Sequence, residues 1–347
     1  MSAPLRVGIV GAGAFVEAAH LPGLQSHPDA HVVAICGRRP ERARELARRF
    51  DVPSVAADYR ELCARDDIDA VTIVTPNALH REVALAALAH GKHVLCEKPL
   101  DVAPGGAEAM LGAARESGRV HQVAFTFRYL YGVEELRRRV RRGDVGEPLV
   151  FRASHERDST LAPGFAFGWQ ARRAEAGGGV LYDVGSHLFD LARFLLGDLE
   201  AVRGSRRAIA RSAPAETDDV ATAALRLVTG ASGSWVASRV NAASFENHVL
   251  VAGREGALVA LLSRGRVDTL RLARPGVSGW SELPLAAAAA DGAPHAARRM
   301  MHAFVDACRR GAIDSELDAD FADGVAVQRA IDAVERSCDS GWIRLDR

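Results

Sequence analysis

The sequence predicts a two-domain α/β protein: a parallel sheet covered by helices on both faces, then an α/β domain on an open, mainly antiparallel sheet. Three observations carry this. From residue 6 to residue 125, short and continuously apolar strands alternate with helical segments, as strands buried on both faces do. After about residue 125 the strands lengthen and are joined by turns such as "VTGASG", the mark of antiparallel pairing. At 347 residues the chain also exceeds one typical domain. The expected division is 1–125 and 126–347, with the final helices packing back on the first domain.

The elements run in chain order. "RVGIV" (6–10) is a buried strand, and "GAGAF" turns out of it into a helix. "HVVAIC" (31–36) is the second strand. "PERARELARRF" (40–50) is a helix opened by proline, whose missing N–H costs least at that position. "DAVTIV" (69–74) ends at "TPN", "HREVALAALAHG" (80–91) is a helix stopped by Gly91, and "HVLC" (93–96) ends at "EKP". "VHQVAF" (120–125) closes the first half. Leu181, Val184, Leu188, Leu191 and Leu195 then recur at spacings of three and four, one apolar stripe of an amphipathic helix. Strands are expected in "PLVFRAS", "AVRGSRRAIA", "VATAALRLV", "SGSWVASRV", "NHVLVAG" and "GALVALL". A loop at 285–295, helices near 296–310 and 319–338, and a short "WIRL" strand complete the chain.

Composition excludes several classes. Lys plus Arg and Asp plus Glu balance at 44 each, so no net charge draws the chain to nucleic acid or an anionic membrane. The densest basic run, "LRRRVRRG" at 136–143, reads as one polar helix face. Cys36, Cys63, Cys96, Cys308 and Cys338 are scattered, odd in number and without a C-x-x-C pair. That implies free thiols in a reducing compartment, with neither a disulfide frame nor a metal site. The N-terminus enters a strand without a signal-peptide pattern, and no apolar run approaches a membrane span. The expectation is a cytoplasmic protein.

Four short motifs carry chemistry. Gly11-x-Gly13-x-x-Val16 comes directly after the first strand. The first glycine permits the tight turn. The second lets a pyrophosphate approach the backbone at a helix N-terminus, the dinucleotide fingerprint of the Rossmann fold. Val16 stands where a third small residue is usual. At the end of the second strand, where an acid would hold the ribose of NAD, the chain reads Gly37-Arg38-Arg39. Two guanidiniums without a carboxylate suit the 2′-phosphate of NADP; otherwise the arginines are the solvated start of a helix. "TPN" (Thr75, Pro76, Asn77) and "EKP" (Glu97, Lys98, Pro99) each end a parallel strand, and ligands of open α/β sheets bind at those ends. Lys98 is thereby a candidate functional group. Finally, Asp183 and His187 stand four apart with Gly185 between them, which suggests close approach of a ligand to the helix backbone. The alternative is a solvated surface pair.

Gly11-x-Gly13, "TPN" with His80, "CEKPL" (96–100) and "GGGVLYDVGSH" (177–187), in that order over essentially the whole chain, resemble the Gfo/Idh/MocA oxidoreductases. The resemblance implies a Rossmann domain for NAD or NADP, held through Gly11, Gly13, Ala14, Phe15, Gly37, Arg38, Arg39, Thr75, Pro76, Asn77, His80, Glu97 and Lys98. It implies Lys98, Asp183 and His187 as catalytic groups. It places Arg128 or Tyr129, and Trp169, with Asp183 and His187, on the substrate side; His155 and Arg172 are weaker candidates there, as donors that suit a hydroxylated or carboxylated ligand. The implied activity is hydride transfer between nicotinamide and a carbinol carbon of a sugar or polyol. His187 would take the hydroxyl proton, Asp183 would orient it, and Lys98 would stabilise the alkoxide; lysine as proton acceptor stays open. NADP is the expected preference, and the resemblance implies a homo-oligomer, dimer or tetramer, built on the open sheet. Two other activities remain: an enzyme that cycles a tightly bound cofactor, as in glycoside cleavage, and a non-enzymatic cofactor sensor.

Overall fold

The structure, a computed structural model, describes residues 3–103, 105–161, 168–209, 216–241, 247–263, 266–285 and 292–345. Contacts divide the chain into two units: Met1–Thr126 with Pro294–Ala326, and Phe127–Ala293 with Val327–Arg347.

Among the described residues, the first unit holds six strands: β1 (Leu5–Val10), β2 (Ala30–Cys36), β3 (Ser54–Val55), β4 (Ala70–Ile73), β5 (His93–Cys96) and β6 (His121–Val123). Their order is β3-β2-β1-β4-β5-β6, and every neighbouring pair is parallel. The chain therefore winds outward in both directions from β1 and β4, and the crevice at their carboxyl ends is where such sheets bind ligands. Val7, Ile9, Val71, Ile73, Val94 and Leu95 are fully buried, which explains why these strands read as unbroken apolar runs. The helix Pro40–Arg49 opens on its proline as expected. Two further helices, Tyr59–Ala64 and Gly106–Ser117, have no clear signature in the sequence. The first is started by Asp58, whose carboxylate accepts the N–H groups of Arg60 and Glu61 at 2.8 and 3.0 Å.

Among the described residues, the second unit is built on nine strands. They are β7 (Pro148–Glu156), β8 (Leu199–Arg207), β9 (Val220–Leu227), β10 (Ser232–Ser238), β11 (Asn247–Gly253), β12 (Gly256–Ser263), β13 (Arg266–Ala273), β14 (Ser281–Leu283) and β15 (Ile343–Arg344). Their order is β14-β13-β12-β11-β7-β10-β9-β8-β15. Pairing is antiparallel except between β7 and β10, so the open sheet is mixed but mostly antiparallel. β13 and β14 lie beyond the strands expected from the sequence. Phe151, Phe189, Leu191 and Trp235 are buried in this unit.

The last helices span Gly292–Arg310 and Phe321–Ser340. The loop expected at 285–295 lies largely outside the described residues, as does the side chain of Cys338; Cys36, Cys63, Cys96 and Cys308 are free and buried. Among the described residues, no helix is long and apolar enough to cross a membrane.

Two histidines make the first unit sensitive to acid. His93 Nδ1 accepts the Val120 N–H at 3.0 Å, and His121 Nδ1 accepts the Phe321 N–H at 3.2 Å. Burial lowers the proton affinity of both rings; Arg119 lowers that of His93 further against Asp69, while Asp320 opposes the shift at His121 more than Arg115 adds to it. The unfolded chain, with an ordinary imidazole pKa of about 6.5, binds these protons first. Stability from this source is thus fully present above about pH 6.5 and is lost as pH falls through the folded values. The expected result is a falling urea midpoint below that pH. It should be flatter in a His93→Asn/His121→Asn variant, whose amide oxygens accept the same N–H groups without titrating. An unchanged slope would assign the acid sensitivity elsewhere.

Candidate functional site

The turn after β1 is shaped by absent side chains. Gly11 sits at φ +135°, and a Cβ there would lie 2.2 Å from the Val74 carbonyl oxygen, so only glycine fits. Gly13 is exposed with nothing within 4 Å of a Cβ position, an open cradle that a pyrophosphate can enter. Ala14 and Phe15 are exposed beside it. Val16 is fully buried and begins a π-helical turn, Val16–His20, instead of the regular helix expected. A Cβ on Gly37 would lie 2.7 Å from the Ala12 Cβ. This position therefore cannot carry an acid unless the glycine turn shifts. Arg38 and Arg39 come next and are exposed. Cys36, at the end of β2, is no nucleophile: burial, with Cys63 beside it, pushes its thiol up to about 12.

The turns after β4 and β5 are tied together. His80 is fully buried, with Nδ1 2.8 Å from the Pro99 carbonyl oxygen and Nε2 3.0 Å from the Thr75 carbonyl oxygen. Burial lowers its proton affinity, and the two carbonyls pull the other way. The neutral ring has one N–H to donate, so it bonds one of these carbonyls and packs against the other, between the "TPN" and "EKP" turns. Asn77 is buried, and Thr75 and Pro76 are half-buried. Lys98 is half-buried ahead of a cis Lys98–Pro99 bond. Glu97 is buried, and its Oε1 lies 3.0 Å from His20 Nε2. Nothing in the sequence marks His20: a lone histidine between apolar residues carries no periodic or motif signal.

In the second unit the "DVGSH" segment departs from the regular helix expected. Leu181–Gly185 is a π-helical turn and the α-helix runs Ser186–Leu196. The wider turn rotates the residues after it, so a stripe drawn at 3.6 residues per turn does not run straight from Asp183 to His187. Asp183 is exposed, whereas His187 is buried at 6 % exposure, which removes the surface-pair alternative for the histidine. Gly185 also has a different role from the one expected. A Cβ there would meet the Trp235 ring at 3.1 Å and Leu181 at 3.4 Å, so the glycine admits a core tryptophan, not a ligand. The start of the helix is held by Asp218, whose buried carboxylate accepts the N–H groups of Gly179 and Leu181, each at 2.8 Å. No local pattern could have named a cap that lies so far along the chain.

The candidate substrate residues fall into two groups. His187 stacks on Phe127 with centroids 4.2 Å apart and planes within 13°, and His155 stacks on the same side chain at 5.5 Å and 25°. His155 is buried and its Nε2 accepts from Arg157 at 3.2 Å. Phe127 thus gathers the two histidines, a role the sequence did not suggest. Arg128, expected to face substrate, is buried, and its Nε lies 2.9 and 3.1 Å from the two carboxylate oxygens of fully buried Asp190. A charge removed from water needs such a partner, and here the pair pins the Phe127–Arg128 segment to the helix bearing His187. Tyr129 is buried at 3 % exposure, Trp169 is half-buried, and Arg172 is exposed and paired with Glu175.

Residues 5–125 match the family model described as "Oxidoreductase family, NAD-binding Rossmann fold", and residues 133–259 match "GFO/IDH/MocA C-terminal domain". Levoglucosan dehydrogenase of Pseudarthrobacter phenanthrenivorans is 32 % identical over 300 residues, covering 78 % of this chain and 76 % of that one. The 1,5-anhydro-D-fructose reductase of Ensifer adhaerens is 30 % identical over 285 residues, covering 81 % and 83 %. A solved levoglucosan dehydrogenase in complex with NADH and levoglucosan superposes with TM-score 0.90 at 29 % identity, over 99 % of this chain and all of that one.

The Arg128–Asp190 pair gives a stability prediction. Removing one partner of a buried ion pair strands the other, typically at about 3–5 kcal/mol. Asp190→Ala should lower the unfolding free energy by about that amount in urea titration. A loss below about 1 kcal/mol would show that the pair does not anchor this segment.

Proposed function

The chain belongs to the Gfo/Idh/MocA oxidoreductases, and from that premise we propose that Lys98, Asp183 and His187 carry its reaction. It is a dehydrogenase or reductase in which bound NAD(H) exchanges hydride with a CH–OH carbon of a sugar, polyol or related small molecule. The observation that carries the residue assignment is the built setting of Lys98. It leaves a buried strand at the sheet's carboxyl edge, between a buried carboxylate and a proline whose carbonyl meets His80, which also packs against the turn after β4.

The open cradle at Gly13 and the clash that forbids a side chain at Gly11 fit a dinucleotide. Gly11, Gly13, Ala14 and Phe15 would hold it, with Gly37 to Arg39 at its ribose and Thr75 to Asn77 beside it. Lys98 brings a compact positive charge to the substrate oxygen, where alkoxide character develops. His187 takes the hydroxyl proton, Asp183 favours its charged form, and Phe127 keeps the imidazole plane fixed. His155 and Trp169 are proposed substrate contacts. NADP is the proposed preference, supported by exposed Arg38 and Arg39 after a position that steric contact reserves for glycine. The proposed homo-oligomer, dimer or tetramer, would use the open sheet. There β9 alternates buried Ala221, Ala223 and Leu225 with half-buried Val220, Thr222 and Ala224. Free buried thiols at Cys36, Cys63, Cys96 and Cys308 suit the proposed cytoplasmic setting.

Three measurements test this. Screening sugars, polyols and their keto forms with NAD(H) and NADP(H) at the nicotinamide absorbance identifies the substrate. On it, Lys98→Ala should lose about a hundredfold or more in turnover with cofactor affinity retained. His187→Asn should lose roughly two to four orders of magnitude together with the acid limb of the oxidation profile. If that limb survives at similar rate, Lys98 is the proton acceptor. Arg38→Ala should weaken NADP more than NAD. Wild type binding NAD as well as NADP would remove the preference.

A further inference from the structure

His20 is fully buried, yet nothing in the reaction described so far uses it. It closes the π turn Val16–His20 that comes after the glycine turn. Its Nε2 lies 3.0 Å from Glu97 Oε1, and the other oxygen of that carboxylate lies 3.4 Å from the Lys98 backbone nitrogen. On its other side, the exposed ring of Phe15 meets the imidazole edge-on, with centroids 5.5 Å apart. His20 Nδ1 is buried without a hydrogen-bond partner among the described residues.

An imidazole with one nitrogen unsatisfied is a poor way to fill a core, because the stranded nitrogen has lost its water for nothing. A leucine or methionine would pack there without that penalty. The polar ring therefore answers to its one bond, and that bond goes to a buried carboxylate one residue before Lys98. A buried carboxylate sits where its donors are, so the ring fixes Glu97, and Glu97 fixes the point from which Lys98 departs.

We infer that His20 is a positioning residue for the reaction, joining the turn that carries Gly13 and Phe15 to the turn that carries Lys98 through the Glu97 carboxylate. The inference rests on the reading of Lys98 as a catalytic group. Misplacement of such a group by about 1 Å can cost about a hundredfold in rate. The bond also confines the lysine loop, so losing it should expose the Lys98 amine more often.

The chain has two lysines, Lys92 and Lys98, which makes the test clean. Lys92 is buried with Nζ 2.7 and 2.9 Å from the Arg65 and Ile68 carbonyl oxygens and serves as internal reference. Wild type, His20→Leu, His20→Asn and His20→Gln are reductively methylated with formaldehyde and cyanoborohydride, and labelling of each lysine is followed by peptide mass spectrometry. Glutamine can place an N–H donor where Nε2 stands; asparagine is too short and leucine has none. Lys98 should label about threefold faster or more in the leucine and asparagine variants, with Lys92 unchanged, and return toward the wild-type rate in the glutamine variant. Thermal melting and NADH fluorescence confirm that each variant folds and binds cofactor; if leucine prevents folding, the asparagine–glutamine comparison decides. Unchanged Lys98 labelling in the variants lacking the donor, or no recovery with glutamine, overturns the inference. Turnover by Lys98→Ala at the wild-type rate, on the sugar or polyol that the nicotinamide-absorbance screen identifies for wild type, would instead overturn the catalytic reading of Lys98, while labelling still reports whether His20 holds the loop.

Discussion

The first unit depends on one close approach: the chain leaving β1 lies against the chain leaving β4, with the Val74 carbonyl where a Gly11 side chain would be. Parallel strands buried on both faces offer polar chemistry no outlet but their carboxyl edge, and that contact brings the first turn into the edge. The neighbouring turns are then fixed by histidines that never reach solvent. His80 packs between the carbonyls of Thr75 and Pro99 and donates to one of them, and His20 bonds Glu97. Lys98 lies in a loop gripped from both ends, so its side chain starts from a determined place although it belongs to no helix or strand. The catalytic role proposed for Lys98 would require such a fixed starting point.

The second unit reaches the same end by other means. Its helix begins with glycines packed under Asp218, whose carboxylate satisfies N–H groups that a helix start leaves open. The π turn then widens the helix by a fraction of a residue and delivers His187 to a buried position, leaving Asp183 exposed. Arg128 and Asp190 lock the preceding segment to this helix, and Phe127, next to that arginine, presents its ring to both His187 and His155. A residue that sequence reasoning assigned to substrate thus supports one that sequence reasoning never named.

Legibility in the sequence depends on how local each signal is. Strand and helix alternation, the glycine turn, "EKP" and "DVGSH" are local patterns with local causes, and they reveal the fold class and the candidate groups. The contacts that set those groups in place are between residues far apart in sequence, such as His20 with Glu97 or Gly179 with Asp218, and no window of sequence contains both partners. The structure gives Gly185 and Arg128 neighbours in their own core, Trp235 and Asp190, that the sequence does not name. A glycine in a helix and an arginine near a motif look alike whether they meet a ligand or their own core, and only Trp235 and Asp190 decide. The missing acid at Gly37 has the same ambiguity until Ala12 supplies a steric cause.

The choice of cation sharpens the reading of the edge. Arginine carries nearly all the positive charge of this chain; the two exceptions are Lys92 and Lys98. Arginine's planar fork suits carboxylates and surface pairs, and the many arginine–carboxylate bridges of both units use it so. An ammonium is a compact point charge with three freely turning donors. Lys92 uses that shape to reach two carbonyls in a space with 7 % exposure. In the role proposed for Lys98, the same compactness would let a positive charge approach a single developing oxyanion without imposing the two-pronged geometry of a guanidinium. Lysine can also give up its proton, which arginine cannot. Replacing Lys98 by arginine would keep the charge and remove both properties, so at this position the two cations are not equivalent groups.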